Sequence, residues 1–312
     1  MPRTETVFFT SVGAARQLPC ARLLIESIRA HGGELARSPV WVLEQDPIGA
    51  PCDCLAGRGV QVFPVSTGDP LGGYLFSGKV SACARAEELA AGTVDSLVWL
   101  IPECLILRPP VLLELPDPLT AAVRPVHIKN IGLPAESAPD VFWEGIFGAV
   151  GEPDPSFTVE SFVESERIRP YFNSAAFSVR PAAGLMRRWL ELFEGLVNDA
   201  AFQVAACGDE RHRIFLHQAV LSTLIATSVD RTGIRELPPD YGYPYNLHDS
   251  VPAEKRARVL DDLVCAIYEH RSVDPDSVTD IEMREPLRSW LRGKVGEVEE
   301  RPSRKGRQED AP

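Results

Sequence analysis

The segment that decides the fold reads Leu97-Val98-Trp99-Leu100-Ile101-Pro102-Glu103. Its first five residues are all apolar. Because successive side chains of a strand point to opposite faces, this run predicts a strand that is buried on both sides. Such strands are typical of parallel sheets that carry helices on both faces. The proline ends the run, and Glu103 then puts a carboxylate directly beyond the strand.

Strand and helix patterns alternate in the first third of the chain. Residues 6–10, 40–43 and 60–65 are rich in β-branched and aromatic side chains, whereas residues 14–31 and 79–91 have helical patterns. This alternation predicts an α/β fold with a Rossmann-like, mostly parallel central sheet flanked by helices. Ligands of such sheets bind beyond the carboxyl ends of the strands. The segments concerned are residues 10–13, 44–46, 66–79 and 101–103.

The second half of the chain is less regular. Strands are predicted over residues 119–128, 171–180 and 263–268, and helices over 184–197 and 214–228. Because no change of composition separates the two halves, we predict a single domain over residues 1–292, with parts 1–118 and 119–292. Residues 293–312 contain too few apolar side chains to bury, which predicts a disordered tail.

Composition narrows the range of partners and compartments. The formal net charge is −12, and this acidity disfavours nucleic acid and anionic membranes as partners. No stretch approaches the roughly 20 apolar residues that cross a bilayer, and no signal-peptide pattern begins the chain. Seven scattered cysteines indicate reduced thiols. The sequence therefore predicts a soluble cytoplasmic protein without membrane insertion.

Five segments together form a pattern that is similar to a known family. They are Lys79 to Pro110, Tyr171-Phe172-Asn173-Ser174-Ala175, Leu216-His217-Gln218, Leu237 to Asn246 and Tyr268-Glu269-His270. In order and spacing, they resemble the GT-A nucleotide-sugar glycosyltransferases of the glycogenin and lipopolysaccharide sugar transferase group, over roughly residues 5–272. The resemblance implies a GT-A fold in which residues 1–118 bind the nucleotide sugar and 119–292 face the acceptor. It also implies sugar transfer from a donor such as a UDP-sugar to a small-molecule acceptor.

The family's Asp-x-Asp motif is degenerate in this chain. Ile101 stands at the first aspartate position, and Glu103 stands at the second. The resemblance implies Glu103 and His270 as ligands of Mn²⁺ or Mg²⁺, to which the donor's phosphates would add oxygens. Because two protein ligands are few, we favour metal-independent transfer, with Lys79 and Arg108 as replacement cations. Arg85 is a further candidate for phosphate binding.

The resemblance also implies roles for other side chains. Donor-binding residues would be Thr10, Ser11, Gly13, Asp46, Lys79, Ile101 and Glu103. Catalytic residues would be Glu103, His217, Gln218 and Asn173, where the imidazole of His217 can act as a base on an acceptor hydroxyl. Acceptor contacts would come from Ser174, from the rings of Trp143, Tyr241 and Tyr243, and from residues 124–130.

Three other functions remain open at the level of the sequence. Ile101 and Ala175, which stands where the family has glycine, favour a catalytically inactive GT-A-like protein that binds nucleotide or sugar. A nucleotidyltransferase would need a glycine-rich loop after the first strand, and residues 11–16 contain one glycine. A dehydrogenase would need Gly-x-Gly-x-x-Gly after a strand, and that motif is absent from the sequence. The donor base, the sugar, the acceptor, the stereochemical outcome and the oligomeric state are not predicted.

Overall fold

A sheet of seven strands lies at the centre of the computed structural model, which describes residues 5–45, 52–57, 59–68, 71–151, 155 and 157–299. The described strands are β1 (Thr6–Val12), β2 (Val40–Gln45), β3 (Val60–Val65), β4 (Ser96–Leu100), β5 (Cys104–Ile106), β6 (Ala121–Val123), β7 (Val159–Glu160), β8 (Arg167–Ile168), β9 (Ala176–Val179), β10 (Ile234–Glu236), β11 (Tyr243–Pro244) and β12 (Cys265–Ile267). The central sheet has the order β10-β6-β9-β4-β1-β2-β3.

Most neighbours in the central sheet are parallel, as predicted. The pairs β4–β1, β1–β2, β2–β3 and β6–β10 are parallel, and β9 pairs antiparallel with both β4 and β6. A second sheet joins β11, β12 and β5, in which β12 and β5 are antiparallel. This second sheet brings the chain after β12 next to the turn that follows β4.

Helices cover both faces of the central sheet. The described helices are α1 (Leu18–His31), α2 (Ser77–Ala90), α3 (Val141–Val150), α4 (Leu185–Asn198), α5 (Ala200–Ala206), α6 (Glu210–Ser228) and α7 (Leu287–Glu299). One core contains the apolar faces of α2, α4 and α6, and the other contains that of α1. None of the described helices combines the length and the apolar character that a bilayer crossing requires.

Strand β4 confirms the interpretation of the apolar run. Leu97 and Trp99 point into the core beneath α2, α4 and α6, and Val98 and Leu100 point into the core beneath α1. All four side chains are almost completely buried. The alternation of faces along the strand therefore accounts for an apolar residue at every position.

Three of the predicted boundaries differ from the structure by five residues or more. The strand predicted over 119–128 is limited to β6, because Arg124 turns inward and donates to the carbonyl oxygens of Tyr241 and Gly242. The strand predicted over 171–180 begins at Ala176. Helix α7 continues to Glu299 and so includes residues 293–299 of the predicted tail, and residues 300–312 lie outside the described residues.

Candidate functional site

A cleft of about 990 Å³ lies beyond the carboxyl ends of β1, β2 and β4. It is lined by residues that follow β1, by Gln45 at the end of β2, and by residues 73–79 and 101–103. Glu269 and His270, which follow β12, complete the lining. Because parallel strands end at the same edge of a sheet, the fold brings these separate segments to one place.

The Gln45 side chain forms the wall between the first two strands and α2. Its Nε2 donates to Ser11 Oγ at 2.7 Å. A Cβ atom at Gly13 would lie 2.7 Å from Gln45 Oε1, and one at Gly78 would lie 1.9 Å from it. Both positions therefore have to be glycine for the carboxamide to occupy this site.

Lys79 is held in the first turn of α2, where it faces the cleft although it is only 8% exposed. Its Nζ donates to Ser174 Oγ at 2.8 Å and to His217 Nε2 at 2.8 Å. The Phe76 ring lies 4.6 Å from the same Nζ. The N-terminus of a helix adds positive potential at this point. The cleft thus contains a buried lysine amine whose hydrogen-bond partners are neutral.

The hydrogen bonds of His217 fix its tautomer. Its Nδ1 lies 2.9 Å from the carbonyl oxygen of Ile214, which can only accept a hydrogen bond. Nδ1 therefore carries the proton, and Nε2 accepts from Lys79. Trp189 Nε1 also donates to the His217 carbonyl oxygen at 2.7 Å, which anchors the backbone of α6.

Ser174 and Gln218 connect this pair to the sheet. Gln218 Oε1 accepts from both the backbone N and the Oγ of Ser174, at 3.2 and 3.0 Å. The Ser174 carbonyl oxygen accepts from Trp99 Nε1 at 3.0 Å. This network links β4, α6 and the segment before β9, and it forms a rigid support beneath Lys79.

Burial shifts the protonation of both members of the pair. Burial lowers the pKa of Lys79 to about 7, because the ammonium loses its hydration. Burial also lowers the pKa of His217 well below its usual range, and the neighbouring Lys79 charge adds to the effect. Near neutral pH, His217 is therefore uncharged, and Lys79 populates both of its protonation states.

Phe76 forms an exposed aromatic rim above the pair. Its backbone has φ of 70°, a left-handed conformation that is uncommon for a residue other than glycine. The residue is 42% exposed, and the centroid of its ring lies 4.7 Å from that of His217. This conformation keeps the ring over Lys79 while its other face remains open to the cleft.

Acidic groups from two separate segments also line the cleft. The backbone N of Tyr268 donates to the Glu103 carbonyl oxygen at 3.0 Å, so Glu269 and His270 follow directly beside Glu103. Burial raises the pKa of the Glu103 carboxyl, and the negative charge of Glu269 raises it further. A carboxyl with a raised pKa is a stronger base than an ordinary one.

Comparisons with known proteins establish the fold. No protein-family model and no curated protein matches the chain significantly. Among solved structures, the galactosyltransferase LgtC in complex with donor and acceptor sugar analogues matches 95% of this chain and 97% of its own, at 12% identity and a TM-score of 0.53. An active-site mutant of LgtC matches 94% of this chain and 95% of the mutant's chain, at 11% identity and a TM-score of 0.51. The chain has a GT-A glycosyltransferase fold.

A second similar structure is longer than this chain. The glycosyltransferase GlyE of Streptococcus pneumoniae TIGR4 matches 93% of this chain, at 12% identity and a TM-score of 0.48. This chain spans 60% of the length of GlyE.

Several residues that the sequence singled out meet in the cleft of this GT-A fold. They are Ser11, Gly13, Lys79, Ile101, Glu103 and His270. His217 and Gln218 lie beneath the cleft, where they support Lys79 directly or through Ser174. The structure thus brings together segments that lie up to about 260 residues apart in the sequence, from Ser11 to His270.

Other predicted residues lie elsewhere. Thr10 is completely buried in β1 and does not line the cleft. Asn173 accepts from the Ala175 backbone N through its Oδ1 and faces His127 with its Nδ2. Asp46 lies outside the described residues. The cations Arg85 and Arg108 are exposed and pair with acidic neighbours, Glu88 and Asp262 respectively.

The predicted aromatic acceptor contacts do not face the cleft. The rings of Trp143, Tyr241 and Tyr243 are buried, and their polar atoms are used internally. The segment 124–130 does not line the cleft either, since Arg124 and His127 are directed at the Gly242 carbonyl oxygen. These rings therefore pack in the hydrophobic core and present no face on which a sugar could stack.

Gln45, Phe76 and Glu269 were not recognised as site residues from the sequence. Gln45 and Phe76 lie inside segments 44–46 and 66–79, which the strand-end rule had indicated, so proximity to a strand end was the available signal. Glu269 stands between Tyr268 and His270 in a segment noted for its histidine. No sequence signal distinguishes the left-handed backbone of Phe76.

The resemblance to GT-A glycosyltransferases implies a divalent cation, and the side chains present do not fit one well. Ile101 provides no ligand atom at the strand end. Within the described residues, no three His, Cys, Asp or Glu side chains are grouped so that they could hold a metal ion. Glu103 and His270 share the cleft as a pair, but two protein ligands do not make a metal site of ordinary affinity.

If the cleft binds a nucleotide, as proposed below, Gly78→Ala is expected to weaken that binding several-fold. The new Cβ would collide with Gln45 Oε1 and push the carboxamide away from Ser11, which changes the wall between β2 and α2. Titration with UDP and GDP, followed by intrinsic fluorescence, would measure the change. Gly195→Ala is the matched control, because a Cβ at Gly195 in α4 meets nothing within 4 Å. Equal affinities of the two variants would remove Gln45 from the nucleotide site.

Proposed function

We propose that this protein transfers a sugar from a nucleoside-diphosphate sugar to an acceptor hydroxyl, without a resident metal ion. The observation that carries the proposal is Lys79, a buried lysine with neutral hydrogen-bond partners at the edge of a GT-A fold where ligands bind. A buried ammonium without a carboxylate partner is costly, and an anionic ligand would offset that cost. The donor's diphosphate supplies such an anion.

The lining of the cleft favours one orientation of the donor. Ser11, Gly13 and Gln45 offer a hydroxyl, a bare backbone and a carboxamide, which suit ribose and base. Lys79 and the N-terminus of α2 offer positive charge, which suits the two phosphates. The sugar would then lie between Phe76 and Glu103. In this orientation, Lys79 stabilises the charge that develops on the leaving nucleoside diphosphate.

The acceptor hydroxyl needs a base, and Glu103 is our candidate. Its raised pKa makes the carboxylate a better proton acceptor at neutral pH. Both ring nitrogens of His217 are engaged, one with Ile214 and one with Lys79. We therefore assign His217 to the positioning of Lys79, and we assign proton transfer to Glu103.

A catalytically inactive nucleotide-binding protein is the second candidate function. Ile101 favours it, because an apolar side chain stands where the fold's enzymes place a metal ligand. The inactive protein would use the same cleft and the same contacts of Lys79. It would differ from the proposed transferase in one respect, since a bound donor would remain intact.

Donor consumption in the presence of a chelator tests the proposal. The purified chain is incubated with a panel of UDP- and GDP-sugars and simple sugar acceptors, with EDTA or with MnCl₂, and released nucleotide is measured. We expect nucleotide release at equal rates under both conditions, because Lys79 rather than a metal ion neutralises the leaving group. Release that requires Mn²⁺ would contradict the metal-independent mechanism. Thermal stabilisation by nucleotides without release would support the binding function instead.

A further inference from the structure

The hydrogen bonds of Lys79 and His217 limit the number of protons that the two side chains can hold together. His217 Nδ1 is committed as a donor to the Ile214 carbonyl oxygen, so Nε2 must present its lone pair to Lys79 Nζ at 2.8 Å. If Nε2 were protonated as well, its N–H would face an N–H of the Lys79 ammonium in a buried site, and the two would repel each other. The pair therefore holds at most one positive charge, and that charge belongs to Lys79.

The surroundings of Lys79 supply little compensation for this charge. Ser174 contributes a hydroxyl, and Cys83 of the same helix contributes a thiol. Glu269, in the loop after β12, is the acidic group that acts on Lys79, and its attraction is weaker than the effect of burial. His217 from α6 contributes only its neutral ring. In the free protein, the charged and neutral forms of Lys79 are consequently close in free energy.

We propose that the cleft binds its anionic ligand together with one proton, which Lys79 takes up from solvent as the ligand's diphosphate reaches its Nζ. This inference rests on the proposed function, since it takes the diphosphate as the anion. The proton balance is simple. A neutral amine and a proton become an ammonium on binding, and the proton returns to solvent when the nucleotide leaves. No bond of the ligand changes in this step.

The proposal fixes the direction of the pH dependence. The pKa of Lys79 is about 7 in the free protein, and contact with phosphate raises it in the complex. Below the free value, Lys79 is charged in both states, and affinity does not change with pH through this group. Above it, each pH unit is expected to weaken binding about tenfold, until the pKa of the complex is reached. With a pKa in the complex one unit above the free value, affinity for UDP-glucose should fall about fivefold between about pH 7 and about pH 9, and a larger shift of the pKa gives a larger fall.

Carbon-13 NMR of the lysine Cε atoms measures this proton directly. The protein is labelled with [¹³C]lysine, and the Lys79 signal is assigned by its loss in Lys79→Met. The signal is followed from about pH 5 to about pH 11 in the free protein and with three probes, UDP-glucose, GDP-mannose and inorganic pyrophosphate. We expect a midpoint near 7 in the free protein and a midpoint at least one unit higher with a bound probe.

A matched pair of substitutions isolates the charge of the partner. His217→Gln offers Lys79 a neutral acceptor, and His217→Glu offers an acceptor of the same size with a negative charge. The free midpoint of Lys79 should remain near 7 in His217→Gln and should exceed about 9 in His217→Glu. The pH dependence of UDP-glucose affinity should flatten in His217→Glu. Folding of both variants is checked by thermal unfolding and by the dispersion of the other lysine signals.

The outcomes separate this inference from the proposed function. A free midpoint near that of an ordinary lysine would overturn the inference, and so would nucleotide binding that leaves the midpoint unchanged. Equal midpoints in the two His217 variants would also overturn it. A shift with pyrophosphate but no binding of either nucleotide sugar would retain the proton-linked anion site and reject the proposed function. If none of the probes binds, both are rejected.

Discussion

Lys79→Met is expected to lower donor turnover by about 10²–10³-fold, because removal of one preorganised group that stabilises developing charge has effects of this size. Methionine keeps most of the side-chain volume in the buried site and removes the Nζ that contacts Ser174 and His217. Turnover is measured as nucleotide release from the best donor of the panel. The fall should appear mainly in kcat, since the leaving group gains its full charge only after the ground state.

Lys129→Met is the control for this substitution. Lys129 pairs with Glu166, and neither residue lines the cleft. The control should retain turnover within about twofold and stability within about 1 kcal/mol. Equal activities of Lys79→Met and Lys129→Met would show that Lys79 has no part in leaving-group stabilisation.

Glu87→Ala is expected to destabilise the fold by about 3 kcal/mol, because it leaves two backbone donors without a partner in a buried place. The Glu87 side chain is completely buried in α2, and its carboxylate accepts from the backbone N of Met186 and of Arg187, both at 3.0 Å. It also accepts from Arg187 Nε at 3.1 Å. These contacts tie α2 to the first turn of α4, and their loss should lower Tm by about 6–10 °C.

Glu88→Ala, one position along the chain, is the matched control. Glu88 pairs with Arg85 on an exposed face, with side chains that are 51% and 43% accessible. Such pairs contribute about 0–1 kcal/mol, so Tm should change little. Thermal unfolding followed by circular dichroism compares the two variants. A Tm of Glu87→Ala equal to that of Glu88→Ala would contradict the structural role of this carboxylate.

The sequence predicted the sheet better than the second half of the fold. The apolar run of β4 has a local cause, since both faces of a covered parallel strand must be apolar, and the structure confirms it. The loop after β6 depends on a contact with distant residues. Arg124 is drawn inward by the Tyr241 and Gly242 carbonyl oxygens, more than 110 residues later, and no local pattern reveals that contact.

The candidate site could likewise be predicted only in part, because some of its contacts join residues that are distant in the sequence. Strand-end positions identified the segments that meet in the cleft, including those of Lys79 and Glu103. Sequence position could not reveal that Lys79 engages His217 across 138 residues, so His217 was interpreted as a base free to reach the acceptor. Likewise, Tyr241 and Tyr243 could have served as a sugar platform or as core residues, and tertiary packing buries both.

A crystal structure of the protein with a bound UDP- or GDP-sugar, grown in EDTA, tests the central claim most directly. We predict diphosphate oxygens within about 3 Å of Lys79 Nζ, as for a charge-assisted hydrogen bond. Base and ribose should lie against Ser11, Gly13 and Gln45, in the cleft beyond β1 and β2. A nucleotide bound outside this cleft, or one whose phosphates lie away from Lys79, would contradict the proposed site.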